Sequence, residues 1–294
     1  MPPKIIIVND DIKRNIFPLY KCREMEVSQY MTSYRTEKST FYDGVNTNAK
    51  EFIACRKNSK KDIIPTVPWT VFLSAYEDAF VHQYIDVFVL CPYSEFTDYY
   101  YQAKKAERIF MQREDVQKSG FNLRVFDTKT FSAGVYVSIF DIYCDMKNFY
   151  FPVNIAAKML QNRLEKSLTY VIYRDDLNTL HNCEISYTEN SELCIYGKDE
   201  SEQLDKFTEI VLNKYNSCKI SGCMYDYCVS FGTECDFADK IYGKLVENIH
   251  KRPFYTFEYS IPTAAVFCNK AFCIHIVTGA QFLLQDAVSQ TDND

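Results

Sequence analysis

The 294-residue sequence lacks the segments that place a protein in or across a membrane. No apolar run approaches the roughly 20 residues that a membrane-spanning helix needs. The first residues, MPPKIIIVNDD, put carboxylates where a secretory signal would continue its apolar stretch. These absences predict a cytoplasmic protein that does not insert into a membrane.

Concentrated positive charge is also missing. The formal net charge is −6, and no long cluster of lysine and arginine interrupts the sequence. Binding to a phosphate backbone normally needs a basic face, so the charge pattern argues against nucleic acid as a partner.

Twelve cysteines are present, but no two of them form a C-x-x-C pair. The densest group is Cys218, Cys223, Cys228 and Cys235, whose spacing lacks the C-x-x-C element usual in structural zinc sites. Disulfides belong mainly to exported chains, and no export signal is evident. We therefore predict twelve reduced thiols and no bound metal.

The order of apolar stretches predicts an α/β protein. Short β-rich runs alternate with amphipathic segments through the first half, which is typical of a mainly parallel, doubly wound sheet. Spacing at Phe72, Leu73, Tyr76, Phe80 and Val81 predicts a helix with one buried face, beginning near Trp69. The other predicted elements of this half are strands Lys4–Val8, Asp86–Leu90 and Leu123–Phe126, and helices Asn48–Lys57, Thr97–Phe110 and Ser132–Asp145.

A second, smaller α/β domain is predicted after a helix from Pro152 to Lys166. We place the first domain at 1–165, the second at 166–284 and a disordered tail at 285–294. The second domain should contain a hairpin turning at Glu189 to Ser191. Its other predicted elements are strands Tyr170–Tyr173, Gly222–Tyr227, Phe254–Tyr259 and Phe272–Val277, and helices Ser201–Asn216 and Glu234–Ile249.

In doubly wound sheets ligands bind outside the carboxyl ends of the strands, so the residues after each strand are candidates. Thr66, Ser94 and Thr97 carry hydroxyls close to predicted helix starts. Free backbone amides and hydroxyls at such starts can bind a carboxylate or phosphate. The same residues are also ordinary helix caps, and the sequence leaves both interpretations open.

Four motifs occur in the order of a known family. They are Asp10 after the first strand, Pro65-Thr66-Val67-Pro68, Tyr93-Ser94-Glu95-Phe96-Thr97-Asp98-Tyr99-Tyr100-Tyr101-Gln102-Ala103, and Asp127-Thr128-Lys129. In this order they resemble the D-S, T-S-x-P, S-S-x-L-S-G-T-Y-x-x-A and D-S/T-K motifs of the DegV family of bacterial fatty-acid-binding proteins. The resemblance spans most of the chain.

The resemblance implies a two-domain DegV-like carrier with no enzyme activity. A long-chain fatty acid would lie in an apolar tunnel, and its carboxylate would be presented to a fatty-acid kinase. Thr66 and Ser94 would face the carboxylate, and Cys268 stands where the family has a histidine. No cofactor is implied.

The sequence also departs from the family pattern. Tyr93 replaces a serine, Asp98 and Tyr99 replace a Gly-Thr pair, and the G-G-R-I segment of the second domain has no counterpart. His181 and His275 lie near the missing head-group contacts in the sequence and are candidate substitutes for them.

Two alternatives therefore stay open. One is a ligand-free scaffold that kept the fold, in which the abundant aromatic residues fill the tunnel. The other is a small-molecule enzyme using Asp10, Asp11 or Asp127 as acid, base or metal ligand, although no Gly-rich phosphate loop, H-E-x-x-H motif or nucleophile elbow is present.

Overall fold

The structure is a computed structural model in which a defined part of the chain is described. Backbone and side chains are described at residues 67–95, 97–130, 151–175, 177–186, 197–217, 227–232, 235–249 and 270–276, and at 134, 135, 137, 138, 142, 145, 193 and 195. The backbone alone is described at 4–7, 26–29, 33–35, 40–42, 190–192, 218 and 256–258. The predicted helix near Asn48–Lys57 and the predicted tail at 285–294 lie outside these residues.

A parallel four-stranded sheet organises the first half of the chain. The described strands of this half are β1 (Lys4–Ile7), β2 (Glu26–Gln29), β3 (Ser33–Arg35), β4 (Thr40–Tyr42), β5 (Asp86–Cys91) and β6 (Asn122–Asp127). The parallel sheet has the spatial order β2, β1, β5, β6, and every neighbouring pair in it is parallel. Strands β3 and β4 form a separate antiparallel pair. The predicted parallel sheet is confirmed.

Three helices of this half have described bounds, α1 (Trp69–Val81), α2 (Tyr99–Phe110) and α3 (Glu114–Ser119). The described residues between 134 and 145 are helical as well. Helix α1 begins at the predicted residue and buries Phe72 and Tyr76. The prediction for Val81 was wrong, because its side chain is 73% exposed. At 100° per residue Val81 lies opposite Phe72 on the helix.

Central strand β5 is buried on both faces, which explains its continuous apolar run. Val87 and Val89 join the core formed with α1 and α2. On the opposite face, Phe88 stacks on Phe126 of β6 with ring centroids 6.0 Å apart. Strand β5 is therefore packed from both sides at the centre of the sheet.

The second half contains a six-stranded mixed sheet and its flanking helices. The described elements are α4 (Val153–Lys166), β7 (Leu168–Arg174), β8 (Leu180–Ser186), β9 (Asn190–Glu192), α5 (Glu200–Cys218), β10 (Tyr227–Phe231), α6 (Ala238–Ile249), β11 (Thr256–Glu258) and β12 (Ala271–Ile276). The sheet has the order β11, β10, β12, β7, β8, β9, and among its described strand pairs only β10 and β11 are parallel. The core packs apolar residues of the sheet against α5 and α6.

One predicted turn of this half was misplaced. Asn190 and Ser191 were predicted in a turn but lie in β9, where Ser191 pairs with Glu184 of β8. Their turn preference is overridden by backbone pairing at the sheet edge. The strand predicted at Gly222–Tyr227 overlaps β10 at Tyr227, and its residues 222–226 lie outside the described residues.

The chain divides into two compact units between Ala157 and Lys158. This division falls inside α4, as does the predicted boundary near residue 165, which stays a prediction. Within the described residues, no helix combines the length and hydropathy needed to cross a membrane.

Candidate functional site

The order of the parallel strands points to one edge of the first sheet. From β1 the chain places β2 on one side and β5 on the other. At such a reversal the loops after the two strands diverge and leave a crevice outside their carboxyl ends, where ligands of this fold class bind. Residues 92–98, here called the β5–α2 loop, leave the sheet at this point and carry Ser94 and Thr97.

Asp127, the last residue of β6, holds the β5–α2 loop in place. One carboxylate oxygen, Oδ1, accepts the backbone N–H of Ser94 at 3.2 Å and that of Lys129 at 3.2 Å. The other, Oδ2, lies 3.0 Å from the Lys129 ammonium group, and the two side chains are only 10% and 20% exposed. Lys129 has a φ of 52°, a left-handed conformation that residues with a Cβ seldom adopt. Such backbone strain is concentrated at functional sites.

Further hydrogen bonds tie the same two strand ends together. The amide and the hydroxyl of Thr128 each donate to the carbonyl of Cys91 at 2.9 Å. The amide of Tyr93 donates to the carbonyl of Thr130 at 3.1 Å. Burial, and next the charge of Asp127, raises the pKa of the Cys91 thiol well above its usual value. Cys91 is therefore a packing residue here and a poor nucleophile.

Ser94 and Thr97 have different local roles. The Thr97 side chain is buried, and its hydroxyl donates to the Tyr93 carbonyl at 3.1 Å, as does its amide at 3.2 Å. Thr97 thus closes the turn of the loop. Ser94 is half-buried, and among the residues that the structure describes its hydroxyl has no hydrogen-bond partner. Within the described part of the loop, the Ser94 hydroxyl therefore differs from that of Thr97, and a ligand contact at Ser94 stays a prediction.

One backbone amide in the first turn of α1 is hydrogen-bonded to a side chain of α2. The Trp69 amide donates to Gln102 Oε1 at 3.2 Å, and Gln102 Nε2 donates to Asp98 Oδ2 at 3.1 Å. The Val71 amide donates to the Pro68 carbonyl at 2.9 Å. Two amides of the first turn are therefore already engaged. Gln102 was not predicted as a site residue, although its spacing of four residues from Asp98 on a helix indicates that the two side chains can meet.

Aromatic side chains occupy volume around the loop. Tyr93 is 1% exposed and Tyr99 is fully buried in the core of α1 and α2. The Lys129 ammonium group lies 4.5 Å from the centroid of the Tyr93 ring. Trp69 is half-buried, with the Lys105 ammonium 5.0 Å from its ring centroid. Tyr93 and Tyr99 thus fill space where the family motif has a serine and a threonine.

The structure places only some of the predicted site residues. Ser94 and Asp127 are brought together, as described above. Thr66 and Cys268 lie outside the described residues, as do Asp10 and Asp11. Their proposed contacts with a ligand stay predictions.

The two histidines considered as substitutes have partners within the second unit. His181 is half-buried, stacks on Tyr173 and lies 2.9 Å from Asp175 Oδ2. His275 is buried with its Nδ1 3.0 Å from the Thr169 hydroxyl, and burial lowers its pKa to about 4. His275 is accordingly neutral at physiological pH and supplies no positive charge.

Metal and disulfide chemistry can be assessed for part of the chain. In the described ranges no group of three or more His, Cys, Asp or Glu side chains is arranged to hold a metal ion. The described cysteines, Cys91, Cys183, Cys228, Cys235 and Cys273, form no disulfide with one another.

Sequence comparisons and structural comparisons give different results. Neither a scan against protein-family models nor a search of the curated proteins finds a match. Solved structures, in contrast, match along almost the whole chain. A DegV family protein from Eubacterium eligens loaded with heptadecanoic acid matches with a TM-score of 0.73 and 10% identity, covering 94% of this chain and 100% of that one.

Two further solved structures match this chain over almost its whole length. A DegV family protein from Ruminococcus gnavus with vaccenic acid gives a TM-score of 0.75 at 10% identity, over 94% of this chain and 99% of that one. DegV of Bacillus subtilis, a fatty acid binding protein, gives 0.69 at 13% identity, over 95% and 100%. The chain therefore has the two-domain α/β fold of the DegV family.

Proposed function

We propose that this protein is a diverged DegV-family carrier that binds a long-chain fatty acid and presents its carboxylate to a partner kinase. The observation that carries the proposal is the hydroxyl of Ser94, which has no hydrogen-bond partner among the described residues and lies on a braced loop at the reversal of strand order. Support comes from full-length structural similarity to proteins that were solved with fatty acids. Presentation to a kinase rests on the family resemblance.

The head group would bind at the carboxyl end of β5. Ser94 would donate its hydroxyl to one carboxylate oxygen, and Thr66, which directly precedes the buried Val67, would donate to the other. Thr97 contributes by keeping the loop closed, and Cys268 would stand in for a histidine without its charge. An acyl chain of about 16 carbons gains roughly 0.8 kcal/mol for each CH₂ that it buries, so the tail supplies most of the affinity.

The contacts of Asp127 argue against the enzyme alternative. A general base or acid needs a carboxylate that can reach a substrate proton. The Asp127 carboxylate is instead engaged by two backbone amides and an ammonium group. Its role is therefore to brace the loop.

The ligand-free scaffold is favoured by a different observation, the burial of Tyr93 and Tyr99. Both rings are almost inaccessible to solvent and replace smaller residues of the family motif. If these rings fill the space through which a fatty-acid head group would reach the loop, the protein would keep its fold but bind no fatty acid. This alternative makes the opposite prediction for every binding experiment below.

Native mass spectrometry of the purified protein, followed by solvent extraction, separates the two proposals. The carrier should show a mass increment equal to one fatty acid, and extraction should release that acid. A delipidated sample should regain the same increment when hexadecanoic acid is added. A protein that stays ligand-free after incubation with saturated and unsaturated acids of different lengths would support the scaffold.

A further inference from the structure

We propose that Lys129 determines the charge of the head group that the site accepts, because it neutralises Asp127 beside the β5–α2 loop. The inference rests on the proposed function and adds to it. With Lys129 in place the site would take an anionic carboxylate. Without Lys129 it would discriminate against a carboxylate in favour of an uncharged head group.

The argument starts from the position of Asp127. Its Oδ1 atom accepts the Ser94 amide at 3.2 Å, so its negative charge lies against the backbone of the residue whose hydroxyl would bind the ligand. A ligand carboxylate at Ser94 would stand only a few ångströms from a second carboxylate. Like charges at that separation repel strongly where solvent screening is poor. A site for a fatty acid needs something to cancel the charge of Asp127.

Asp127 is well placed to exert its charge on its surroundings. The side chain is 10% exposed, so water screens it little. Its effect extends to Cys91 on the neighbouring strand, where Asp127 is the second cause, after burial, of a raised thiol pKa. Cys91 is the register partner of Asp127, so this influence crosses directly between the two strand ends.

Lys129 has the contacts of a fixed cation. Its ammonium group lies 3.0 Å from Asp127 Oδ2 and 4.5 Å from the centroid of the Tyr93 ring. Its backbone has a positive φ and is held by the Asp127 side chain at 3.2 Å. These contacts hold the positive charge of Lys129 against the carboxylate of Asp127.

The test compares two ligands of equal length with different head groups, dodecanoic acid and dodecanol, by isothermal titration calorimetry. In the Lys129→Gln variant we expect the dissociation constant of the acid to rise at least about tenfold, as like-charge repulsion at this range implies. The affinity for dodecanol should change less than about twofold. Lys118→Gln, which removes an exposed lysine from α3, is the matched control and should change neither.

Two further variants address folding and mechanism. Lys129→Arg keeps the positive charge and should retain binding of the acid. The double variant Asp127→Asn, Lys129→Gln removes both charges and should regain most of the affinity for the acid. This double variant keeps hydrogen-bonding groups at both positions, so it tests the idea even if Lys129→Gln alone is poorly folded.

The outcomes are distinguishable. Equal weakening of acid and alcohol in Lys129→Gln would overturn the inference, as would failure of the double variant to recover, because a structural role would explain both. Unchanged acid binding in Lys129→Gln would overturn it as well. If the wild-type protein binds neither ligand, the proposed function fails first and this inference fails with it.

Discussion

The backbone N–H of Ser94 donates to the side chain of Asp127 across 3.2 Å, which joins residues 33 positions apart in the sequence. The contact links the end of β6 to the loop that follows β5. It fixes the backbone of Ser94 while leaving the hydroxyl unengaged among the described residues. Under the proposed function, a hydroxyl whose backbone is fixed in this way would lose little entropy when a fatty acid binds.

Thr97 should stabilise the first unit without needing a ligand. Replacing it with valine removes the hydroxyl that donates to the Tyr93 carbonyl, at a cost of about 1 kcal/mol. Thermal unfolding followed by fluorescence of Trp69, the single tryptophan of the chain, should show a Tm lower by about 2–4 °C. Thr97→Ser keeps the hydroxyl and serves as the control. An unchanged Tm in Thr97→Val would show that this hydrogen bond does not brace the loop.

Glu200 should make the stability of the second unit depend on pH. Arg174 is nearly buried and donates to Glu200 Oε2 at 2.6 Å, and this hydrogen bond is the largest cause that lowers the pKa of Glu200. A lowered folded-state pKa adds stability above the unfolded value, and that stability is lost as pH falls through the folded value. Because the Glu200 side chain is 46% exposed and water screens the pair, Glu200→Gln should cost at most about 1 kcal/mol at pH 7 and less at pH 3.

Urea unfolding followed by far-ultraviolet circular dichroism measures the effect of Glu200→Gln at the two pH values. The exposed Glu247, changed to glutamine, is the control for loss of one carboxylate. A cost for Glu200→Gln that is the same at both pH values would contradict the role of the ion pair.

His275 should remain uncharged in the folded protein well below neutral pH. Burial lowers its pKa to about 4, so the unfolded chain takes up a proton first as pH falls below about 6.5. Proton uptake by the unfolded state lowers folding stability between these two values. In NMR spectra the ring signal that disappears in His275→Gln should not titrate between pH 7 and 5. A midpoint near 6.5 would show that the ring is accessible to solvent.

The cysteines should differ in reactivity although all twelve are predicted to be thiols. Burial is the main cause that raises the pKa of Cys235 to about 12, and it also raises that of Cys91. Because the thiolate is the reactive form, both should be alkylated slowly in the folded protein. Peptide mass spectrometry after brief iodoacetamide treatment measures the fraction of each cysteine that has been alkylated. Denaturation without reductant should expose all twelve thiols, and a smaller number would contradict the redox prediction.

Local patterns in the sequence were enough to predict much of the fold. The continuous apolar run of β5 and the helical spacing around Phe72 and Tyr76 reflect burial in the core, which acts directly on residue type. The residue pattern gave a wrong prediction where a side chain is exposed or where hydrogen bonding between strand backbones sets the structure. Val81 occupies the last turn of α1, and Ser191 lies in a short edge strand where backbone pairing, not side-chain preference, decides.

The candidate site was predictable only in part. The resemblance pointed to Ser94 and to the segment from Asp127 to Lys129, but each as an isolated motif. The sequence could not show that Asp127 holds the Ser94 amide, or that Gln102 caps α1, because both contacts join residues 33 positions apart. Tertiary contacts of this kind depend on strand order and helix packing.

Titration of the delipidated protein with hexadecanoic acid tests the central claim most directly. The wild type should bind one molecule, and Thr66→Ala with Ser94→Ala should weaken binding at least roughly tenfold, because each hydrogen bond to a charged group is worth about 1.5–3 kcal/mol. Ser217→Ala, at an exposed hydroxyl near the end of α5, should bind like the wild type. Absence of saturable binding by the wild type, or wild-type affinity in the double variant, would contradict a fatty-acid site at Ser94.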